Sequence, residues 1–353
     1  MRRSDTRATM KAVQFSRFGG PEVLEVVDVP APEPSAGEVV VEVEAVSIGR
    51  LLDLVARAGR HPYAHFQLPH VLGAEHAGVV SEVGDGVSGF TRGDRVAVFP
   101  TVTCGRCRWC LSGRSEACPE LELIGVHRPG AYAELSCVPA SSLQRLPEGV
   151  SAVEAAALAL VGSVASNQLH RSGVGRGSWV VVQGASSGLG SVTASYARWL
   201  GAHVIALSRS AWKRERLSEL GFDAVLDPFD SATVGVVAEL SGGFGADVVI
   251  DDIGDTDLWQ VSLALLAPCG TLVSSGAFLG GKAGVNVLEL YSKNQRIEGI
   301  RTGNGASSAA LWRAVKEGFR PVVDRTFPLE EASKAHEYLE HGDNFGRVLL
   351  VTQ

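Results

Sequence analysis

The sequence has no long apolar run. Its most apolar stretch, residues 155–161, is far too short to cross a bilayer. No apolar core follows the polar, basic opening MRRSDTRAT, which excludes a secretory signal and makes the cytoplasm the expected location. Those nine residues read as a frayed tail, with the fold beginning near Met10. There is no internal repeat, low-complexity segment or obvious linker. Positive charge is not in excess either: 32 Lys and Arg stand against 39 Asp and Glu, a formal net charge of −7. Nothing in that balance draws nucleic acid or an anionic membrane to the surface.

What is present describes a soluble globular protein. Of 353 residues, 45% are hydrophobic and 20% charged, enough for more than one core, so two domains are expected. The first third reads as β-rich. Val-rich runs at 11–15, 22–29 and 39–46 are separated by Gly/Pro turns, and 30–37, with three prolines, is a loop. Residues 53–57 suit a short helix, and 78–98 short strands with tight turns. After about residue 150 the character changes. Ser151 opens a helix with Glu154 as its capping-box partner. Strands at 179–183, 203–207, 224–226, 248–251 and 272–274 then alternate with helices, including 190–200 and 211–220. Such alternation predicts a doubly wound parallel sheet. The tail reads as helix 309–318, helix 329–341 and strand 348–351.

The run VVVQGASSGLG, residues 180–190, places a Gly/Ser turn between a buried strand and a helix. Small residues let the backbone approach a pyrophosphate, and the N–H groups and dipole of the helix start bind its charge. The predicted cofactor contacts are Gly184, Ser186, Ser187, Gly188, Leu189 and Gly190, with Gly276 after a later strand. The end of the next strand decides between dinucleotides. An acidic residue there would hold the ribose 2′-hydroxyl of NAD. Here the chain runs Leu207, Ser208, Arg209, Ser210, with Lys213 and Arg214 following, and no carboxylate. Ser208, Arg209 and Lys213 suit a 2′-phosphate, so NADPH is expected over NADH.

Four of the six cysteines, Cys104, Cys107, Cys110 and Cys118, crowd into fifteen residues. In a reducing compartment this spacing favours metal over disulfides. Four thiolates complete a tetrahedral zinc and leave no position for water or substrate, so one structural zinc is expected.

Further motifs carry a resemblance. Residues 73–84, GAEHAGVVSEVG, with GDRV at 93–96, the four-cysteine lobe, FPLEEA at 327–332 and FGR at 345–347 resemble the medium-chain dehydrogenase/reductase superfamily, the zinc alcohol dehydrogenase and quinone oxidoreductase group. The resemblance runs from about Met10 to the C-terminus. It implies a GroES-like catalytic domain at 1–157, including a structural zinc lobe at 100–120. A Rossmann NADP(H)-binding domain at 158–300 and a return to the catalytic domain at 301–353 would follow, with the active site in the cleft between domains. Relatives pair through the Rossmann edge strand, here near 295–300 with a contribution from 285–290, so a homodimer is expected.

The departures bear on chemistry. Zinc-dependent members hold a catalytic zinc with Cys, His and Cys. The first ligand falls at Gly49 or Arg50, the His at Ala74 beside a retained Glu75, and the last Cys near Leu160. None of these can hold zinc. Ser187 also stands where many members have Gly. The chain therefore resembles a member that keeps the structural zinc and has lost the catalytic one.

Without a Lewis acid, an unactivated alcohol is hard to oxidise, whereas hydride transfer to an electron-poor carbon is easier. The expected activity is that of an NADPH-dependent oxidoreductase of the enoyl or quinone reductase kind, acting on an activated C=C bond in an enone, an enoyl thioester or a quinone. Zinc-independent reduction of an aldehyde or ketone is the alternative within enzymes. A non-catalytic NADPH-binding sensor or assembly partner is the alternative of another class. Tyr63, Asp53 and His61, with His65, are the candidate donors to a developing enolate. Asp251 and Asp252 are expected to shape the nicotinamide side.

Overall fold

The computed structural model describes residues 8–62, 64–277 and 279–352. It divides into two compact units. The first runs to Leu160 and resumes at Val323; the second spans Val161–Val322.

In the first unit, β1 (Thr9–Phe15) pairs antiparallel with β2 (Glu25–Pro30) and β4 (His70–Val71). A larger sheet is built around β3 (Glu38–Ser47). On one side lie β5 (Glu75–Val83), β6 (Arg95–Val98) and β10 (Leu143–Arg145), and on the other β18 (Arg347–Val351) and β17 (Val323–Pro328). β9 (Leu135–Pro139) also pairs with β3. The ribbon of β7 (Thr101–Val102) and β8 (Glu122–Leu123) brackets the short helix α1 (Arg108–Leu111).

Strand β3 serves two cores. Val39 and Val41 join Val80, Val96, Val98 and Val138; Val43 and Val46 join Phe15, Leu54, Leu72, Tyr132, Leu339 and Leu350. Simple alternation would put Val43 and Val46 on opposite faces. The register against β5 slips between Val43 and Ala45, and one extra residue is what brings Val46 back to the same side. Helix α2 (Ala152–Leu158) begins at the expected capping box: Ser151 Oγ accepts from Glu154 N, and Ser151 N donates to the Glu154 carboxylate at 2.9 Å. Helix α10 (Ala332–His341) completes this unit. The segment read as a short helix at 53–57 begins instead with a wide π-type turn over Arg50–Val55.

The second unit is a six-stranded parallel sheet. Its strands are β11 (Trp179–Val182), β12 (His203–Leu207), β13 (Ala224–Leu226), β14 (Ala246–Ile250), β15 (Leu266–Ser274) and β16 (Arg296–Gly299). They lie in the order β13-β12-β11-β14-β15-β16. Helices α3 (Val161–Arg171), α4 (Gly188–Trp199), α5 (Ala211–Ser218), α6 (Thr233–Leu240), α7 (Thr256–Ala264), α8 (Val287–Ser292) and α9 (Gly305–Lys316) connect and cover it. Val181, Ile205, Leu207, Val249 and Leu272 fill the core beneath the sheet. The order reverses between β11 and β14, and in such sheets ligands bind outside the strand ends at that point. Among the described residues, no single helix is long and apolar enough to cross a membrane.

The chain returns to the first unit at Val323, later than the 301 read from the sequence. The cause is local packing. Asn167 Nδ2 of α3 donates to the Thr302 carbonyl at 2.8 Å, and a Cβ on Gly303 would stand 2.5 Å from that of Ser163. Residues 302–303 are thereby fixed to α3, and α9 follows them onto it.

Candidate functional site

The nucleotide turn lies between β11 and α4. Gly184 takes a φ of +61°, which a side chain would resist. A Cβ on Gly190 would stand 2.3 Å from the Gly184 carbonyl oxygen, so glycine is required for helix and turn to meet. Ser187 is the N-cap, its Oγ accepting from Gly190 N at 3.1 Å. The departure from Gly at this position is thus a conservative one: it satisfies a helix-start N–H. Ser186 Oγ lies 3.4 Å from Ser208 Oγ, tying the turn to the end of β12.

The end of β12 carries the basic cluster, and its members differ. Arg209 is exposed. The Lys213 ammonium sits 5.2 Å from the centre of the Trp212 ring. Arg214 reaches back to the carbonyls of Ser208 and Arg209 at 2.8 and 2.9 Å and to Asp227 Oδ2 at 2.8 Å. It holds the Ser208–Arg209 backbone in place, a role its sequence position does not announce. Asp227, just past the end of β13, is engaged by Arg214 and by Phe229 N. A glycine-shaped turn, a capped helix start and a basic strand end fit a dinucleotide's phosphates. Gly276 lies past the end of β15, on the other side of the switch point from Ser208 and Arg209.

The four cysteines come together as expected. Their sulfurs all lie within 4.8 Å of one another, with Cys107–Cys110 and Cys104–Cys118 at 3.6 Å and Cys104–Cys110 at 4.0 Å. Zn–S bonds of about 2.3 Å in a tetrahedron separate sulfurs by about 3.8 Å, so this donor set fits zinc. The spacing is far beyond a disulfide bond, and all six cysteines are free thiols. Leu121, Leu123, Val126 and Ala64 pack beneath the cluster. Among the described residues it is the one group placed to hold a metal ion.

The positions compared with catalytic zinc ligands are occupied otherwise. Arg50 Nη2 donates to the Leu339 carbonyl at 2.6 Å, and Gly49 N donates to Asp53 Oδ2 at 2.6 Å. Ala74 and Leu160 are buried aliphatics. His76 is wholly buried, its Nδ1 3.3 Å from the Ala74 carbonyl, and burial brings its pKa down to about 4.

The predicted donors fare differently. Asp53 is 1% exposed. Its carboxylate accepts from Gly49 N and, at 3.1 Å, from Gly73 N, so it ties the π-type turn to the loop before β5. Burial raises its pKa to about 7 against those hydrogen bonds, the Arg347 charge and the Tyr132 hydroxyl. His61 Nδ1 accepts from Ala64 N at 3.1 Å, and burial lowers its pKa to about 4, so it is a neutral ring with its proton on Nε2. His65 is exposed. Tyr63 lies outside the described residues.

Sequence reading missed a buried polar chain beside Asp53. Tyr132 Oη is 2.9 Å from His336 Nε2, His336 Nδ1 is 3.2 Å from Arg57 Nη1, and Arg57 pairs closely with Glu340. Glu340 itself is exposed, whereas the pair of Arg347 with Glu75 is buried on both sides and also engages Ser47 Oγ at 2.6 Å. It explains why Glu75 remains although its neighbour is Ala74. The partners are up to 300 residues apart, so no local pattern marks them.

Comparison with known proteins agrees with this geometry. Residues 35–148 match the alcohol dehydrogenase GroES-like domain, and 188–317 match the zinc-binding dehydrogenase domain. An NAD-dependent alcohol dehydrogenase of Sulfolobus acidocaldarius is 31% identical, covering 97% of this chain and 100% of its own. A 2-haloacrylate reductase of a Burkholderia species is 32% identical, with 97% and 99% covered. A crystal structure of an NAD-dependent alcohol dehydrogenase superposes with a TM-score of 0.89 at 36% identity, with 98% and 100% covered. Fold, cysteine lobe, nucleotide turn and full-length relatives together establish that this chain is an oxidoreductase of the medium-chain dehydrogenase/reductase superfamily, built from a GroES-like and a Rossmann-type part.

Proposed function

We propose that the enzyme reduces an activated C=C bond, conjugated to a carbonyl or within a quinone, using NADPH and no catalytic metal. One observation carries this reading. Arg50 or Gly49, Ala74 and Leu160 offer no metal ligand where zinc-dependent members have three, while the phosphate turn and its basic strand end are retained. Bound NADPH supplies the hydride. An electron-poor β-carbon accepts it without a Lewis acid, which an unactivated alcohol could not do in reverse. Gly184 to Gly190 would receive the pyrophosphate, and Ser208, Arg209 and Lys213 the 2′-phosphate. The enolate would take a hydrogen bond from Tyr63 or from His61, whose neutral ring donates through Nε2. Asp53, bound on both oxygens by backbone N–H groups, serves to anchor the loop rather than to move a proton. The 2-haloacrylate reductase supports the reading, since its named substrate is a conjugated alkene.

Cys104, Cys107, Cys110 and Cys118 would hold one structural zinc, in a cytoplasmic setting that keeps thiols reduced. Strand β16 is one of the two edges of its sheet, and Ile297 on it and Val287, Leu288 and Tyr291 of α8 before it are exposed. An apolar edge of this kind supports a homodimer. Sedimentation as a monomer at micromolar concentration would refute that assembly.

Carbonyl reduction is the second reading, supported by the name alcohol dehydrogenase among the relatives. Those names also carry NAD, against the charge at Arg209. The deciding test follows NADPH and NADH consumption with enones, quinones and aldehydes and identifies the product. A saturated ketone from an enone supports the proposal. An allylic alcohol supports the second reading, and cofactor binding without turnover across the panel overturns both.

A further inference from the structure

Helix α3 carries an unusual side chain for a buried face. Gln168 is completely buried, yet every part of its amide is used. Thr193 Oγ1 of α4 donates to Gln168 Oε1 at 3.0 Å, which fixes the orientation of the amide. Nε2 then faces Asp252, 2.9 Å from each carboxylate oxygen, and also donates to Ser275 Oγ at 2.8 Å. Ser275 N adds a hydrogen bond to Asp252 Oδ1 at 2.8 Å. Three elements thus hold one carboxylate in one orientation.

Its place in the sheet is specific. Asp252 lies just past the end of β14 and Ser275 just past the end of β15, on the far side of the switch point from Ser208 and Arg209. The two loops are pressed together: a Cβ on Gly276 would stand 2.5 Å from the Asp252 carbonyl oxygen. A doubly wound sheet of this order consists of two mononucleotide-binding halves. The first half, with the glycine turn and the basic end of β12, suits the adenosine side. The second half then faces the nicotinamide nucleoside.

The carboxylate retains capacity to accept. Oδ1 takes Gln168 and Ser275 N, whereas Oδ2 takes only a share of the same Gln168 amide. An ionised carboxylate offers about four acceptor positions. Neighbouring Asp251 is arranged differently: it is fully buried and accepts from Ile253 N, Gly254 N and Ser262 Oγ, so it serves the loop itself. Asp252 is only partly buried.

We infer that Asp252, clamped by Gln168, is a cofactor-binding residue whose carboxylate accepts a hydrogen bond from the nicotinamide-nucleoside half of the dinucleotide, from either its ribose hydroxyls or its carboxamide amine. This rests on the proposed use of NADPH. Gln168 acts through Asp252 and is a positioning residue.

The test is ligand binding by calorimetry to the full chain and to Asp252→Asn, with three probes: NADPH, 2′-phospho-ADP-ribose and adenosine 2′,5′-bisphosphate. The variant keeps the shape but replaces one acceptor by a donor. NADPH affinity should fall roughly tenfold or more, as for loss of a hydrogen bond to a charged group. The bisphosphate should bind both proteins equally, which also reports that the variant is folded. Loss with NADPH alone assigns the carboxamide; an equal loss with 2′-phospho-ADP-ribose assigns the ribose. Equal NADPH affinity in both proteins, or the same loss with all three probes, overturns the inference and leaves the proposed activity standing. If the wild type binds neither NADPH nor NADH, the activity and the inference fall together.

Discussion

Tyr132 and His336 meet through a 2.9 Å hydrogen bond within the first unit, and the direction of that bond is determined. Arg57 can only donate, so His336 Nδ1, 3.2 Å from Arg57 Nη1, is the acceptor. The proton of His336 therefore sits on Nε2 and points at the Tyr132 oxygen. The Tyr132 hydroxyl proton is left for Asp53, whose carboxyl it stabilises in the charged form. Burial and the Arg57 charge lower the His336 pKa to about 3, which keeps the ring neutral.

This chain predicts a structural rather than a catalytic phenotype. Tyr132→Phe should lower stability by about 1–3 kcal/mol, because it leaves the buried His336 Nε2–H without its acceptor. The check is urea unfolding followed alongside turnover of the folded fraction. A large loss of turnover at unchanged stability would refute the structural assignment.

A pH effect follows from Asp53. Its folded pKa, about 7, lies above the ordinary 3.8, so the folded chain holds a proton that the unfolded chain has released. The stability this contributes is present below pH 4 and is lost as pH rises to 7. Buried His336 and His76, lowered to about 3 and about 4, act oppositely: their contribution is present above pH 6.5 and is lost on acidification. Asp53→Asn removes the first effect alone. The variant should gain on the wild type between pH 4 and 7, by up to about 4 kcal/mol at one pKa unit per 1.36 kcal/mol. Parallel stability profiles would contradict the buried, proton-holding Asp53.

Much of this was legible in the sequence, and the reasons for the rest are physical. The strand–helix alternation showed the parallel sheet because its strands are short apolar runs, such as VIAL at 204–207. Ser151 and Glu154 announced their capping box locally. Strand β17, with the sequence VDRTFP, went unread because none of it is fully buried and it shows no clean alternation. The cysteine lobe was legible since its four ligands are close in sequence. The Tyr132–His336–Arg57 chain and the Gln168–Asp252 clamp were not, since each joins residues far apart. Only the amide pair Asn167 and Gln168 within the helix VGSVASNQLHR hinted at the clamp.

Metal content offers a separate check. The protein should contain one zinc per chain, and Cys107→Ser should lose it with local unfolding of residues 100–120, read by protease sensitivity. A second zinc per chain in active enzyme would overturn the metal-free mechanism.

Cofactor choice should follow Arg209. Arg209→Ala should weaken NADPH roughly tenfold, the scale of one hydrogen bond to a charged group, and leave NADH unchanged. Arg214→Ala should weaken both, because Arg214 holds the backbone of the whole strand end. Fluorescence titration with the two reduced cofactors distinguishes these patterns. Loss of NADH alone on changing Arg209 would reverse the assignment.

The most direct measurement uses NADPH deuterated at the transferring C4 position, with an enone as acceptor and the product read by mass and NMR. The account predicts a saturated ketone with deuterium on the former β-carbon. Deuterium on a carbinol carbon, with the double bond intact, would contradict it.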